Sequence, residues 1–397
     1  MSRTLLLDRR GPFRRAALLE RGTLTDLTID REDRPSLLGA VLLGKVTRLA
    51  AGLDAAFVEI GERQQALLNA SDVRPGKRDA RIGQLLRTGQ TVIVQVKADA
   101  HGAKGATVTM DVSLPGRFVV HAPLGQGLHV SRRLGKGPEV GRLKQLLADA
   151  LPRQGGWILR ADALGANPGL VLQEAEAHLA DWHAVQALAQ GSPPRPLRPA
   201  PTAAERALVE WTGAGVDSIR VDGADLLAEV RAWCRTRAPD LEPLLTPHKG
   251  SGALFEEGDV DGAIHQLLGT RVPLPQGGSL VIERTEALTV VDVNGGERGN
   301  ALATNLDACR EIARQLRLRN LGGIVVVDFV SLSRAGDREA VLQALSTAVS
   351  DDPAGTHVYG MSKLGLVELT RARRGPPLSA LLDGAPGGPG AAEPDPA

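Results

Sequence analysis

The stretch that decides the fold runs from residue 284 to residue 332 and reads RTEALTVVDVNGGERGNALATNLDACREIARQLRLRNLGGIVVVDFVSL. It contains two short apolar runs, 288–293 and 323–330, which carry Asp292 and Asp328 near their ends. Runs this rich in Val and Ile, bounded by glycine, are typical of strands in a buried sheet. A carboxylate in such a strand is costly unless it is paired, hydrogen-bonded or bound to a cation. With Asn294 beside the first aspartate, the pattern predicts a site for a hard metal ion such as Mg²⁺.

The segment between the two apolar runs has the pattern of a helix. Thr304 is a suitable N-cap, and Asn320 with Gly322-Gly323 is a suitable stop. An apolar stripe at helical spacing predicts the buried face and consists of Cys309, Ile312, Ala313 and Leu316. Arg310, Arg314 and Arg317 share another face, which either contacts a phosphodiester backbone or is a solvated charged face. The pattern does not favour either of these two interpretations over the other.

Three ordered segments resemble the catalytic core of the bacterial ribonuclease E/G family: TEALTVVDVNGG, TNLDACREIARQLRLRNLGGIVVVDF and KLGLVELTRAR. In that family, two strand-end aspartates bind the catalytic magnesium, and an Asn beside the first helps to position the attacked phosphate. The resemblance implies these catalytic roles for Asp292, Asp328 and Asn294, with Asp292 and Asp328 as the metal ligands. It also implies Mg²⁺ as the cofactor, with Mn²⁺ as a substitute.

The resemblance implies a multidomain α/β (α+β) fold. Its parts are an S1 (OB-fold) RNA-binding barrel, a 5′-sensor-like region, a ribonuclease H-like subdomain and a DNase I-like catalytic subdomain. In chain order we expect these parts at residues 36–114, 115–190, 202–275 and 276–374. Residues 1–35 supply strands to the ribonuclease H-like subdomain, residues 191–201 form a proline-rich linker, and residues 375–397 form a disordered tail.

Residues 36–114 show repeated strand patterns separated by glycines, as a small barrel requires. The segment GKVTRLAAGLDAAFVEIGERQQALLNASDV resembles an S1 domain, in which exposed aromatic side chains stack on bases beside a basic track. Phe57 occupies one family stacking position and Leu67 the other, although Phe57 is equally well explained as a core residue. The basic candidates for the track are Lys45, Arg48, Lys97, His101 and Lys104. Of these, Lys104 falls on a family RNA-contact lysine.

Residues 115–190 resemble the family region that senses a 5′ monophosphate through an Arg–Thr pair. Here the pair reads Arg160-Ala161, so the hydroxyl donor is missing, and the following turn at 165–167 lacks the usual lysine. We therefore expect weak or no dependence on a 5′ monophosphate. Further candidate RNA contacts are Arg132 and Arg133 in this region and Lys363, Arg371 and Arg373 where the family closes its cleft.

Composition limits the function classes. The chain has 397 residues and a formal net charge of +1, so any nucleic-acid binding must come from local patches. Cys234 and Cys309 show no paired spacing, which predicts neither a disulfide framework nor a zinc site. The N-terminal residues do not resemble a secretory signal, and no apolar stretch is long enough to span a membrane. We expect a cytoplasmic protein without membrane contact.

Two further features of the sequence depart from the family pattern. Ser331 stands where the family often has an additional Asp. The sequence also lacks the CPxCxG element whose cysteines share a zinc ion with a second subunit in the family. We therefore expect no structural zinc, and a monomer or a dimer that is not linked by zinc.

Together these features favour a magnesium-dependent endoribonuclease, a hydrolase that cuts single-stranded RNA in rRNA precursors or mRNA and leaves 5′-phosphate products. The alternative is an RNA-binding adaptor or regulator with a weakened nuclease site. Leu67, Ala161 and Ser331, which replace the family's aromatic, hydroxyl and additional aspartate, favour this alternative. The set of Asp292, Asn294 and Asp328 favours the enzyme, because a pure binding protein has no chemical need for it. A third reading, in which the aspartates only form turns, is disfavoured by the length of the resemblance.

Overall fold

The structure is a computed structural model and describes residues 2–76, 80–100, 104–135, 137–297 and 299–383. The chain divides into two compact units, one formed by residues 1–31 with 248–397 and the other by residues 32–247. In the part of the chain that the structure describes, no helix combines the length and the apolar character needed to cross a membrane.

Strands and helices occur throughout both units, which confirms the mixed α/β class. The strands are β1 (Arg3–Arg10), β2 (Phe13–Glu20), β3 (Thr23–Arg31), β4 (Val41–Ala50), β5 (Ala55–Glu59), β6 (Ala66–Asn69), β7 (Thr91–Ala98), β8 (Thr107–Thr109), β9 (Leu114–Pro115), β10 (Val119–Ala122), β11 (Gly127–Val130), β12 (Gly156–Leu159), β13 (Arg195–Arg198), β14 (Ser218–Val221), β15 (Leu245–Pro247), β16 (Arg271–Pro273), β17 (Ser279–Arg284), β18 (Leu288–Asn294), β19 (Gly323–Asp328), β20 (Thr356–Met361) and β21 (Leu366–Arg371). The α-helices are α1 (Ile82–Leu85), α2 (Pro138–Ala148), α3 (Pro168–Leu188), α4 (Ala203–Trp211), α5 (Ala224–Arg237), α6 (Val260–Gln266), α7 (Ala301–Leu318), α8 (Ala335–Ala348) and α9 (Leu378–Leu382).

The deciding stretch lies at the centre of a six-stranded sheet with the order β16-β17-β18-β19-β21-β20. Strands β18 and β19 are parallel and are connected by α7, whereas β19 and β21 are antiparallel. Side chains from α7 and α8 pack on one face of this sheet, including the predicted stripe Cys309, Ile312, Ala313 and Leu316. The apolar stripe predicted for α7 is therefore confirmed.

Helix α7 begins earlier than predicted. Its N-cap is Asn300, whose side-chain oxygen accepts a hydrogen bond from the N–H of Ala303 at 3.0 Å. Thr304, the predicted cap, is buried inside the first turn, where its hydroxyl donates to the Asn300 carbonyl at 3.1 Å. The stop is confirmed, because Asn320 follows the helix with a left-handed φ of 49°.

A five-stranded barrel lies in the second unit, as predicted for the S1-like region. Its strands follow the order β4-β5-β6-β8-β7, and pairing between β7 and β4 closes it. Near the end of the barrel region the chain forms two short strands, β8 and β9, rather than one continuous strand. The predicted linker at 191–201 carries β13, whose backbone pairs with β4, so this segment is an added strand rather than a free connection.

The sensor-like region is a second sheet of order β11-β12-β10-β9 packed with α2 and α3. Strands β14 and β15 are parallel, and strands β1 to β3 form an antiparallel meander in the other unit. The division into ribonuclease H-like and DNase I-like subdomains stays a prediction.

Candidate active site

The register of β18 and β19 places Asp292 directly opposite Asp328. Val291, Val293 and Val327, which neighbour them along the strands, are buried on the side covered by α7. Since side chains alternate along a strand, both carboxylates project from the other face, where both residues are exposed. Neighbouring strands lie about 4.8 Å apart, so one small cation can reach both carboxylates.

Asn294 completes this constellation. It lies two residues after Asp292 on the same face, and its Nδ2 donates to Asp292 Oδ2 at 2.8 Å. Across the described ranges, neither Asp292 nor Asp328 forms an ion pair with a Lys or Arg side chain. Two adjacent carboxylates without a cationic partner repel each other, and a divalent cation bound by their oxygens would remove that repulsion.

The donor set contains two carboxylates rather than three. Among the described residues, no group of three or more His, Cys, Asp or Glu side chains could hold a metal ion. Mg²⁺ suits such a sparse site, because it keeps several of its waters and commonly shares its remaining positions with a phosphate. The residues present therefore fit magnesium, with the other ligands supplied by water and substrate.

The β20–β21 hairpin lies at the same end of the sheet as the aspartates. Leu366, at the start of β21, is opposite Asp328, and the exposed Lys363 lies in the turn just before it. The backbone bond from Ser362 N–H to the Leu366 carbonyl closes this turn. The turn that carries Lys363 thus lies at the same end of the sheet as the acidic pair, and its contact with RNA stays a prediction.

Arg371 and Arg373 lie elsewhere, which corrects the prediction that they close the cleft. Arg371 is five residues after Leu366 on β21, roughly 17 Å further along the strand. It is buried, and its Nε donates to Asp352 Oδ2 at 2.7 Å. Arg373 is exposed beside Gly323, at the opposite end of β19 from Asp328.

The arginine face of α7 also differs from the prediction. Arg314 Nε donates to the Leu24 carbonyl at 2.7 Å, and Arg317 Nε lies 3.1 Å from Asp26 Oδ1, so both arginines attach the helix to β3. Arg310 is exposed and pairs with Asp307 one turn away. The helix packs on the face of the sheet opposite the carboxylates. This placement gives Arg314 and Arg317 a structural role and argues against their contacting RNA.

Phe57 lies on the surface of the barrel rather than in its core. It is half-buried on β5, opposite Leu67 on β6 and opposite Arg48 on β4. The guanidinium carbon of Arg48 lies 4.2 Å from the centre of the Phe57 ring, in the range of a cation–π contact. A planar cation and an aromatic ring therefore form one stacked pair next to Leu67.

The other basic candidates of the barrel lie on several of its strands and loops. Lys104 is exposed, two residues before Ala106, whose carbonyl accepts the Leu67 N–H at 2.8 Å. Lys45 is exposed on β4, and Lys97 pairs with Asp72 at 2.8 Å. His101 lies outside the described residues. Lys104 thus lies two residues before the backbone that pairs with Leu67, whereas Lys97 already has an acidic partner.

In the sensor-like region, Arg160 faces backbone oxygens. Its Nη1 donates to the carbonyl of Gly116 and lies 3.5 Å from the carbonyl of Val209. Ala161, at the next position, offers no hydroxyl. Arg133 is exposed in the turn that follows β11, and the side chain of Arg132 lies outside the described atoms.

Glu174 on α3 is a residue that the sequence analysis missed. Its carboxylate accepts the backbone N–H groups of Arg117, Phe118 and Val119 at 2.7, 2.8 and 2.9 Å. Burial raises the pKa of Glu174, although the three N–H donors oppose that shift. The carboxylate fixes the segment that follows Gly116, where Arg160 is bound. An acid at helical spacing from Val171, Ala175 and Trp182 on α3 was the available signal.

With this geometry in view, comparison with known proteins identifies the class. The ribonuclease E/G family model matches residues 113–374. Ribonuclease G of Escherichia coli (strain K12) is 35% identical over 392 residues, covering 94% of this chain and 80% of that protein. Ribonuclease G of Haemophilus influenzae is 34% identical, covering 90% of this chain and 77% of that protein. Ribonuclease E of Nostoc sp. is 36% identical, covering 85% of this chain and 51% of that protein. The chain belongs to the ribonuclease E/G family.

Proposed function

We propose that the chain is an endoribonuclease that cuts single-stranded RNA at a magnesium site formed by Asp292 and Asp328. The observation that carries this proposal is the strand register, which puts the two carboxylates side by side on an exposed sheet face. Membership of the ribonuclease E/G family supports RNA as the substrate class.

The chemistry of the site follows from its residues. Bound Mg²⁺ supplies a water of lowered pKa and a positive charge that offsets the charge developing on the attacked phosphate. Asp292 and Asp328 hold the ion, and the hydrogen bond from Asn294 fixes the orientation of the Asp292 carboxylate. Lys363 lies at the same end of the sheet and neutralises the phosphate backbone of the strand. The resemblance to the ribonuclease E/G family implies that hydrolysis leaves a 5′-phosphate and a 3′-hydroxyl.

The barrel holds the RNA strand in this proposal. The Phe57–Arg48 pair presents a stacked surface for a base, and Arg48 adds a charge for the backbone. Leu67 replaces a second aromatic, so the contribution of about 1–3 kcal/mol from a second stacked base is lost. Lys104, next to Leu67, contacts the adjoining phosphate.

Replacing Arg48 by Lys tests the stacked pair, because Lys keeps the charge but not the planar group. We expect RNA affinity to fall about fivefold, which corresponds to a cation–π contribution of about 1 kcal/mol. The slope of log affinity against log salt should stay the same, since the number of cations is unchanged. Fluorescence anisotropy with labelled RNA, in a background carrying Asp292→Asn to prevent cleavage, measures both quantities.

The matched control is Arg87→Lys, at an exposed arginine of the same barrel unit that contacts no aromatic ring among the described residues. It should leave the affinity unchanged. Equal affinities for Arg48→Lys and the parent protein would show that the stacked pair does not contact a base.

The region around Arg160 supports weak or no 5′-end sensing. The guanidinium is already bound to the Gly116 carbonyl, and Ala161 cannot supply a second donor. We therefore expect similar cleavage rates for the same RNA with a 5′ monophosphate and with a 5′ hydroxyl. Gel-resolved initial rates at subsaturating RNA measure the ratio, and a preference of about tenfold for the monophosphate would contradict this part of the proposal.

The proposal as a whole is tested by incubating a labelled, A/U-rich single-stranded RNA with the protein and magnesium. Internal cutting with 5′-phosphate products supports it. Folded protein that binds the RNA without cutting it would instead be an adaptor, which is the alternative favoured by Leu67, Ala161 and Ser331.

A further inference from the structure

The sheet face that carries Asp292 and Asp328 also carries an exposed aromatic patch. Tyr359 on β20 is 71% exposed, and Ile324 on β19 is 50% exposed. On β20, Val358 and Met361 pack against the core on the other face of the sheet. We define Tyr359, Ile324 and the intervening Thr370 as the tyrosine platform.

Strand pairing brings the residues of the platform next to one another. Ile324 is directly opposite Thr370 in the β19–β21 pairing. The Thr370 hydroxyl lies 3.5 Å from the Tyr359 hydroxyl oxygen, so the phenol ring extends from β20 towards β21 along the sheet. The high exposure of Tyr359 leaves most of its ring open to solvent.

We propose that the tyrosine platform binds a base of the RNA strand whose backbone is cut at Asp292 and Asp328. This inference rests on the proposed function. An aromatic ring is a general stacking partner, because every base has a π-face, and stacking contributes about 1–3 kcal/mol per base. Ile324 is four residues before Asp328 on β19, roughly 13 Å away, so the bound base belongs to a nucleotide that flanks the cut.

The carboxylate nearest the platform, Glu368, favours a base over a phosphate as the occupant, while the exposed cations Arg271 on β16 and Arg373 beside Gly323 lie at the edges of the sheet. Glu368 is exposed on β21 between the platform and Asp328, and Glu283 is exposed on β17. These carboxylates repel a phosphodiester, whereas an uncharged base can lie against Tyr359 and Ile324 without that penalty. At the platform itself, Glu368 disfavours a phosphate, and the apolar surface of Tyr359 and Ile324 suits an uncharged base.

The chain offers a direct probe, because Tyr359 is its single tyrosine. Uniform labelling with 3-fluorotyrosine gives one fluorine resonance, which reports on this ring alone. We expect this resonance to shift when single-stranded RNA is added to labelled protein carrying Asp292→Asn. An RNA of equal length with abasic sites at every position should leave the resonance in place. No shift at saturating RNA, or the same shift with the abasic strand, would overturn the proposal.

Kinetics provide the second measurement. In the enzyme with both aspartates, Tyr359→Ala should lower kcat/KM about tenfold, and Tyr359→Phe should retain the wild-type value because it keeps the ring. A scan of single abasic sites around the cut should find one position that slows the wild type but not Tyr359→Ala. The control is Leu146→Ala, which removes a 57% exposed apolar side chain on α2. If Tyr359→Ala cut every one of these RNAs at the wild-type rate, the platform proposal would be overturned.

The two proposals can fail separately. If the wild type does not cut RNA but the fluorine resonance still shifts with RNA and not with the abasic strand, the nuclease proposal fails and the platform stands. If the wild type cuts RNA and the resonance responds only to protein concentration, the patch is a contact between copies of this chain, and the platform proposal is wrong.

Discussion

Replacing Asp292 by Asn is expected to lower the rate of RNA cleavage by about 10²–10³-fold. The substitution preserves the shape of the side chain but removes a negative oxygen ligand of the metal, and metal-bound charge stabilisation contributes several kcal/mol to such reactions. The fold should be unaffected, because Asp292 is exposed and lies on the face opposite the core. Single-turnover cleavage of labelled RNA at saturating magnesium measures the loss.

The matched control for this prediction is Glu283→Gln. Glu283 is an exposed carboxylate on β17, the strand next to Asp292, and it is opposite Val290 rather than opposite either aspartate. Neutralising it should leave cleavage close to the wild-type rate. A comparable loss in both variants would mean that the charge of the whole face, and not the Asp292–Asp328 pair, controls activity.

Arg371→Ala is expected to destabilise the protein by about 3–5 kcal/mol, because it leaves Asp352 as a buried charge without its partner. The side chains of Arg371 and Asp352 are only 5% and 3% exposed, and two hydrogen bonds at 2.7 and 3.2 Å join them. Urea unfolding monitored by circular dichroism measures the change. The structural role also predicts normal RNA affinity for the fraction of this variant that remains folded.

A second variant separates the ion pair from the cavity left by truncation. Replacing both partners, with Arg371→Met and Asp352→Leu, should recover much of the stability lost in Arg371→Ala, because no unpaired charge remains. If Arg371→Ala were as stable as the wild type but bound RNA much more weakly, the original interpretation of Arg371 as an RNA ligand would be restored.

The same pair predicts how stability depends on pH. Burial alone would raise the pKa of Asp352, but the hydrogen bonds and charge of Arg371 outweigh it and lower the pKa below its ordinary value. A carboxyl group with a lowered folded-state pKa contributes its stability above its unfolded pKa of about 3.9 and loses it as the pH falls through the folded value. Stability should therefore fall in acid by more in the wild type than in the Arg371→Met, Asp352→Leu double variant.

The centre of the fold could be predicted because its signals are local. The two Val-rich runs, the intervening helical stripe and the strand-end carboxylates are all patterns within fewer than fifty residues, and the structure places them as one parallel strand–helix–strand unit. The barrel was predictable for the same reason, since its strands are separated by glycine turns.

The positions of the arginines could not be predicted, because they depend on distant partners. Arg371 is buried together with Asp352, which lies nineteen residues before it and accepts its hydrogen bond. Arg314 donates to the carbonyl of Leu24, which lies in a different part of the sequence. A solvent-exposed arginine and a paired, buried one look the same in sequence. The antiparallel register of β21, which carries Arg371 away from the acidic pair, is likewise set by tertiary packing.

The contacts of Glu174 in the sensor-like region could not be predicted for the same reason. Glu174 lies more than fifty residues from the three N–H groups it accepts, and its helix placement gives no indication of that contact. The position of Tyr359 was also hidden, because only the approach of its hydroxyl to Thr370, together with the pairing of β19 and β21, shows that it shares a face with Asp328.

The central claim is that Asp292 and Asp328 hold a magnesium ion that the cleavage of RNA requires. The most direct test is to follow the cutting of one labelled single-stranded RNA in magnesium, after addition of excess chelator, and after magnesium is restored. The account predicts that cutting stops with the chelator and returns with the metal, and that Asp292→Asn stays inactive throughout. Undiminished cutting in excess chelator would contradict it.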